Sequence, residues 1–221
     1  MKKYFDVISR SDLFSGINPE MIPAMLDCMG VTTQEVKKNQ IIFEEGEPAK
    51  YVGLVLSGEV QMVRDDFYGN RSIIMHMEPS DLFAETFACA GLEHMPASIV
   101  ASENGEVMFI DCKRILTVCS NACEFHNRLI QNLLRIVATK NISFDKKIDI
   151  TSQKSTRDKL LTFLNHEAKK ANSNEFIISY DRQELADYLG VERSAMSSEL
   201  SKLKKDGLID YNKNNFIIYT D

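Results

Sequence analysis

Arg193, Ser194, Ser197, Ser198 and Ser201 fall within one short stretch, ERSAMSSELSKLKK, and all are hydrogen-bonding side chains. Between them Met196, Leu200 and Leu203 recur at i, i+4 and i+7, which predicts a helix with one apolar face and the arginine and serines on the other. The chemistry implied is non-covalent reading of a groove, with Lys202, Lys204 and Lys205 available to neutralise phosphate nearby.

A face of this kind needs elements that present it, and the stretch from Ser179 to Tyr219 contains them. Asp181 with Glu184 three residues on reads as a capping pair, Leu185, Ala186 and Leu189 follow at helical spacing, and Gly190 ends that helix. A very short turn leads to the second helix, which Gly207 stops. Leu208–Tyr211 and Phe216–Tyr219 then read as two short strands around an Asn212–Asn215 turn. Two helices joined by a glycine turn and followed by a hairpin make a winged helix-turn-helix, which offers its second helix to a DNA major groove.

The remainder of the chain changes period twice. Residues 1–30 read as short helices, with Cys28 assigned to their apolar pattern. From Val31 to Asp111 the period becomes two: Ile41–Phe43, Tyr51–Leu56, Val60–Val63, Ile73–Met77, Ile99–Ala101 and Val107–Ile110 are short strand-like runs, which indicates a sandwich or barrel. Helical period returns from about Lys113. Ile130, Leu134, Val137, Asn141, Phe144 and Ile148 then alternate four and three apart, a coiled-coil seam whose single polar Asn favours a defined two-stranded register. The same seam would also suit a helix packed on its own domain. Polar residues at 151–155 form a natural hinge, and Arg157 to about Lys170 is a further helix. The expected domains are 1–120, 121–151 for the dimerisation helix, and 152–221 for the DNA-binding unit.

Composition bounds the function classes. With 221 residues, 44% hydrophobic and 26% charged, the chain is an ordinary globular one. Its N-terminus lacks the apolar run of a signal peptide, no stretch could span a bilayer, and five scattered cysteines form no disulfide framework, so a cytoplasmic location is expected. The net charge of −6 lies entirely in residues 1–150; residues 151–221 hold 11 basic and 11 acidic side chains. Phosphate neutralisation must therefore be local. No phosphate loop, nucleophile elbow or paired zinc-ligand motif is present, and an enzyme is not expected.

A roll of short strands, a long helix and a terminal winged helix-turn-helix, taken with Gly46 and Gly58, the run Asp81-Leu82-Phe83-Ala84-Glu85, and Arg182-Gln183-Glu184-Leu185-Ala186 up to Gly190, resembles the cyclic-AMP receptor protein/FNR family of bacterial transcription regulators. The resemblance spans essentially the whole chain. It implies an α+β fold: an N-terminal β-roll (a double-stranded β-helix of the cyclic-nucleotide-binding kind), a dimerisation helix, and the winged helix-turn-helix. By position it implies that Arg193 contacts guanine, that Ser194 and Ser198 replace a base-reading glutamate and arginine, that Ser197 matches a serine used in the FNR branch, and that Arg182 and Gln183 touch phosphate. A two-fold dimer implies a near-palindromic double-stranded DNA site, and RNA polymerase as partner if the protein activates.

The effector pocket departs from the family. Where cyclic-nucleotide binders carry a glycine–glutamate and an arginine–serine pair, this chain has Ala84-Glu85 and Met95-Pro96; on the long helix Ile142 replaces an adenine-reading threonine, and Ser143 is kept. No arginine remains at those positions to neutralise a phosphate, so cyclic AMP is not the expected effector. Met75, Met77, Met95, His76 and His94 would suit haem or another apolar ligand, and would equally serve as strand core. Cys112, Cys119 and Cys123 could support thiol redox sensing or simply pack, and Cys89 could lie near the pocket. The reading is a homodimeric, sequence-specific DNA-binding regulator whose effector is unknown; the alternatives are a haem- or thiol-based redox or nitrosative-stress sensor, or a ligand-binding module acting through protein partners.

Overall fold

The computed structural model describes residues 2–117 and 124–219. The chain folds into two compact units, Met1–Asp65 with Ile74–Lys140, and Asp66–Ile73 with Asn141–Asp221. The boundary falls inside one long helix.

The first unit opens with α1 (Phe5–Arg10) and α2 (Ile22–Met29). In α2 the stripe Ile22, Met25, Leu26 and Met29 is buried, whereas Cys28 falls off that stripe and is exposed, which corrects its assignment to the core. Strands β1 (Thr32–Val36), β2 (Ile41–Phe43), β3 (Tyr51–Ser57), β4 (Val60–Asp65), β5 (Arg71–Met77) and β6 (Leu82–Phe83) follow, then α3 (Glu85–Ala90), β7 (Ser98–Ala101), β8 (Gly105–Asp111) and α4 (Cys112–Leu116). They form two four-stranded sheets, ordered β1-β8-β3-β6 and β2-β7-β4-β5. Val55, Val60, Met62, Ile99, Ala101 and Val107 fill one apolar core of the roll. Gly58 is required where the β3–β4 turn presses on β8: its φ is +70°, and an added Cβ would stand 2.6 Å from the Asn104 carbonyl oxygen.

The long helix α5 (Glu124–Thr151) follows. Its first half is anchored to the unit through Leu129, Leu133 and Ile136, which join the core of α1 and α2. Buried Asn132 donates from Nδ2 to the Leu13 and Ser15 carbonyls at 2.9 and 2.8 Å, satisfying a polar group that would otherwise be costly there. Leu134 stays 70% exposed, and Ile130 and Val137 are half-buried, so these seam positions turn away from the helix's own core.

The second unit contains α6 (Thr156–Ala171), β9 (Glu175–Ile177), α7 (Arg182–Leu189), α8 (Arg193–Lys205), β10 (Ile209–Asn212) and β11 (Asn215–Ile218). Ser155 caps α6, accepting from the Asp158 amide at 3.0 Å, so the polar stretch after Thr151 separates two helices. Leu160, Phe163, Leu164, Leu185, Leu189, Met196, Leu200, Leu203 and Phe216 close a continuous core. The wing pairs Asn212 with Asn215 across a two-residue turn, with Lys213 at φ +52°, and β9 adds a third strand beside β11. No described helix is long and apolar enough to cross a membrane.

Candidate nucleic-acid interface and effector site

The helix pair is built as its sequence dictates. Asp181 accepts from the Gln183 and Glu184 amides at 2.7 and 2.9 Å while Glu184 accepts from the Asp181 amide at 2.8 Å, a complete capping box that fixes where α7 begins. Gly190 takes the left-handed conformation, φ +61°, and turns the chain into α8. Burial of Met196, Leu200 and Leu203 leaves Arg193, Ser194, Ser197, Ser198 and Ser201 exposed on the opposite side. Ser201 donates its hydroxyl to the Ser197 carbonyl at 3.0 Å, so it offers a ligand chiefly its acceptor capacity. Lys202 and Lys204 are paired with Glu199 and Asp210, and both pairs are on the surface, where exchange for phosphate costs little.

Arg182 and Gln183, expected to touch phosphate, each make a hydrogen bond within the chain. Arg182 does not project outward. Its Nη2 donates to the Lys213 carbonyl at 2.7 Å, and its guanidinium lies 5.1 Å from the centroids of both Tyr211 and Phe216. Burial lowers its pKa from the ordinary arginine value. A cation placed so joins α7 to the wing through stacking and one strong hydrogen bond. Gln183 is exposed but donates to Asp187 at 2.8 Å, one turn along its own helix.

In the roll, Ala84 adopts φ +60° and leads into α3, whose first residue is Glu85, only 1% exposed. Lys140 of α5 supplies the counter-charge. Its Nζ stands 2.9 and 3.0 Å from the two carboxylate oxygens and donates to the Leu82 carbonyl at 2.6 Å. Sequence reasoning missed this partner because 55 residues separate the pair and Lys140 lies outside the a/d pattern. Met95 is buried, and its amide donates to the Glu47 carbonyl at 2.8 Å; Pro96 has no amide hydrogen. An arginine does reach this segment: Arg64 of β4 donates from Nε to the Pro96 carbonyl at 3.1 Å. Ala84, Met95 and Pro96 thus present a methyl, a methionine with its amide already used and a proline, and Glu85 is engaged by Lys140. Ile142 and Ser143 belong to the second unit and are exposed.

The histidines are held separately. His76 faces Glu59 at 3.0 Å, and His94 Nδ1 lies 2.9 Å from the Gly46 carbonyl oxygen. Burial raises the Glu59 pKa above the ordinary carboxylate value, with His76 opposing the shift. Met77 and Met95 are roll core. Among the described residues no three His, Cys, Asp or Glu side chains gather as a metal site. Cys119 and Cys123 lie outside the described residues, whereas Cys112 is buried beside Cys89.

Comparison with known proteins agrees with this architecture. The family model for the cyclic nucleotide-binding domain matches residues 33–122, and that for the Crp-like helix-turn-helix domain matches residues 158–221. The chain belongs to the cyclic-AMP receptor protein/FNR family of transcription regulators. Within this family it is 21% identical over 204 residues to electron transport regulator A of Shewanella oneidensis, covering 84% of this chain and 74% of that protein. It is 24% identical over 179 residues to the transcriptional activator protein anr of Pseudomonas aeruginosa, covering 79% and 71%. Among solved structures it resembles the c-di-GMP responsive global regulator CLP of Xanthomonas campestris, with TM-score 0.73 and 16% identity over 92% of this chain and all of that one. As in the rest of the family, the helix-turn-helix is a DNA-binding unit and the fold is regulatory rather than enzymatic.

Proposed function

We propose that the protein binds a near-palindromic double-stranded DNA site as a homodimer in the cytoplasm, reading bases with α8, and that the state of the β-roll sets how the two α8 helices are presented. The observation that carries this reading is the α8 surface: Arg193 and four serines, all exposed, on a helix whose other face is fully buried. A surface built to bind a protein would be expected to carry apolar or aromatic anchors. Two-fold symmetry is supported by the seam of α5, where Leu134 and Ile148 remain 70% and 64% exposed in the single chain.

Lys140 gives the relay a physical basis. It ties α5 to the β6–α3 corner of the roll through Glu85 and Leu82, so any event that displaces α3 perturbs the long helix directly. The effector acts by shifting a pre-existing balance between dimer geometries, and it is not cyclic AMP. A fluorescence anisotropy titration of duplex DNA tests the first claim: retained affinity in excess non-specific DNA supports it, and full competition removes it. A melting-temperature panel tests the second. A ligand binding only the folded state at ~100 times its dissociation constant adds about 2.7 kcal/mol, and such a shift with cyclic AMP would overturn the pocket reading.

A further inference from the structure

We propose that Cys89 and Cys112 are a dithiol that a peroxide converts into an intrachain disulfide joining α3 to α4. The two sulfurs lie 3.7 Å apart at the junction of these packed helices. Cys112 is only 3% exposed and sits in the core of the first unit; Cys89 packs against the same core but is half-open to solvent. The sequence offered Cys112, Cys119 and Cys123 as its cysteine cluster. The fold instead brings Cys112 to a partner 23 residues earlier.

The two thiols are not equivalent. A hydrogen bond from Cys112 lowers the Cys89 pKa, against burial and the nearby Glu85 carboxylate. The same bond, with burial, raises the Cys112 pKa. Cys89 is therefore the nucleophile and Cys112 the resolving thiol. The Cys89 thiolate attacks one oxygen of hydrogen peroxide, giving a sulfenic acid and a hydroxide that leaves as water. Cys112 loses its proton, and its sulfur attacks the Cys89 sulfur, displacing the second hydroxide as water. Two thiols and one peroxide thus yield one disulfide and two waters, a two-electron oxidation. The sulfurs must close to about 2.05 Å. That movement falls on α3, a six-residue helix set between left-handed joints at Ala84 and Gly91, while Cys112 is held by its amide to the Lys50 carbonyl at 3.2 Å.

The inference concerns the chemistry of the roll and is read without DNA. Reduced full-length protein is exposed to hydrogen peroxide, quenched with N-ethylmaleimide in denaturant and mapped by mass spectrometry. The expected result is reversible loss of two thiols, a mass lower by about 2 Da, and a linked peptide pair containing Cys89 and Cys112. Cys89→Ser should abolish that link, and Cys112→Ser should leave a sulfenic acid on Cys89 that dimedone captures. Circular dichroism establishes that each variant is folded, with Cys112→Ala replacing the serine variant if it is not. Persistence of both thiols while other cysteines oxidise, or a link through another pair, would overturn the inference.

Discussion

Lys140 Nζ stands 2.9 Å from a carboxylate oxygen of Glu85, a side chain otherwise shut away from solvent. The ion pair joins a helix of the roll to the helix that carries the seam. Lys140→Met should leave that carboxylate buried and unpaired, lowering stability by about 3–5 kcal/mol. Lys140→Met with Glu85→Gln should recover much of the loss. Urea unfolding of the two variants measures the difference; equal destabilisation would mean that the loss comes from packing rather than charge.

Arg182 and Arg193 should separate cleanly. Arg193→Ala should leave the melting temperature nearly unchanged and lose about 1–3 kcal/mol of discrimination at one base position. Arg182→Ala should destabilise the wing, because it removes the bond to Lys213 and the contact with Tyr211 and Phe216. Thermal melts and binding titrations on both variants make the comparison. Uniform weakening across all DNA sequences by Arg193→Ala would make it a phosphate contact instead.

The seam of α5 predicts an assembly. Val137 and Phe144 are half-buried in the single chain and belong to the row containing exposed Leu134 and Ile148. Replacing both by Asp should convert the sedimenting species to monomer without unfolding either core. An unchanged sedimentation profile would exclude this face as the interface.

A pH dependence follows from Lys147. Burial, with Lys159 adding repulsion, depresses its pKa to about 7, and its Nζ donates to the Tyr188 carbonyl and lies 3.4 Å from that ring's centroid. The folded value lies below the ordinary lysine value of 10.5. Between the two, the unfolded chain binds the extra proton, so stability rises with pH; below about 7 both states are protonated and the folded chain carries the full desolvation penalty. Unfolding at pH 6, 7.5 and 9 should show stability increasing, and Lys147→Met should flatten the rise.

Much of this was legible in the sequence because period and capping residues act locally. Asp181, Glu184, Gly190 and the Met196–Leu200–Leu203 stripe specify the helix pair without outside help. The elements that escaped notice are those whose pattern is short or polar. Strand β1, TTQEV, lies at a sheet edge with four of its residues exposed, and so lacks an alternating signature. Strand β9 has three residues, β6 two, and α3 six, too few for a period to emerge. At the candidate sites the limit was sequence distance. Lys140 with Glu85, Cys89 with Cys112, and Arg182 with the wing are pairings made by the tertiary fold, and spacing along the chain carries no signal for them.

The measurement that bears most directly on the central claim is selection of duplexes from a random-sequence library by the purified protein, with Arg193→Ala selected in parallel. The account predicts an enriched near-palindrome with half-sites about one helical turn, ~34–36 Å, apart, and loss of preference at one symmetric base pair in the variant. Enrichment without symmetry, or binding that selects no sequence, would contradict it.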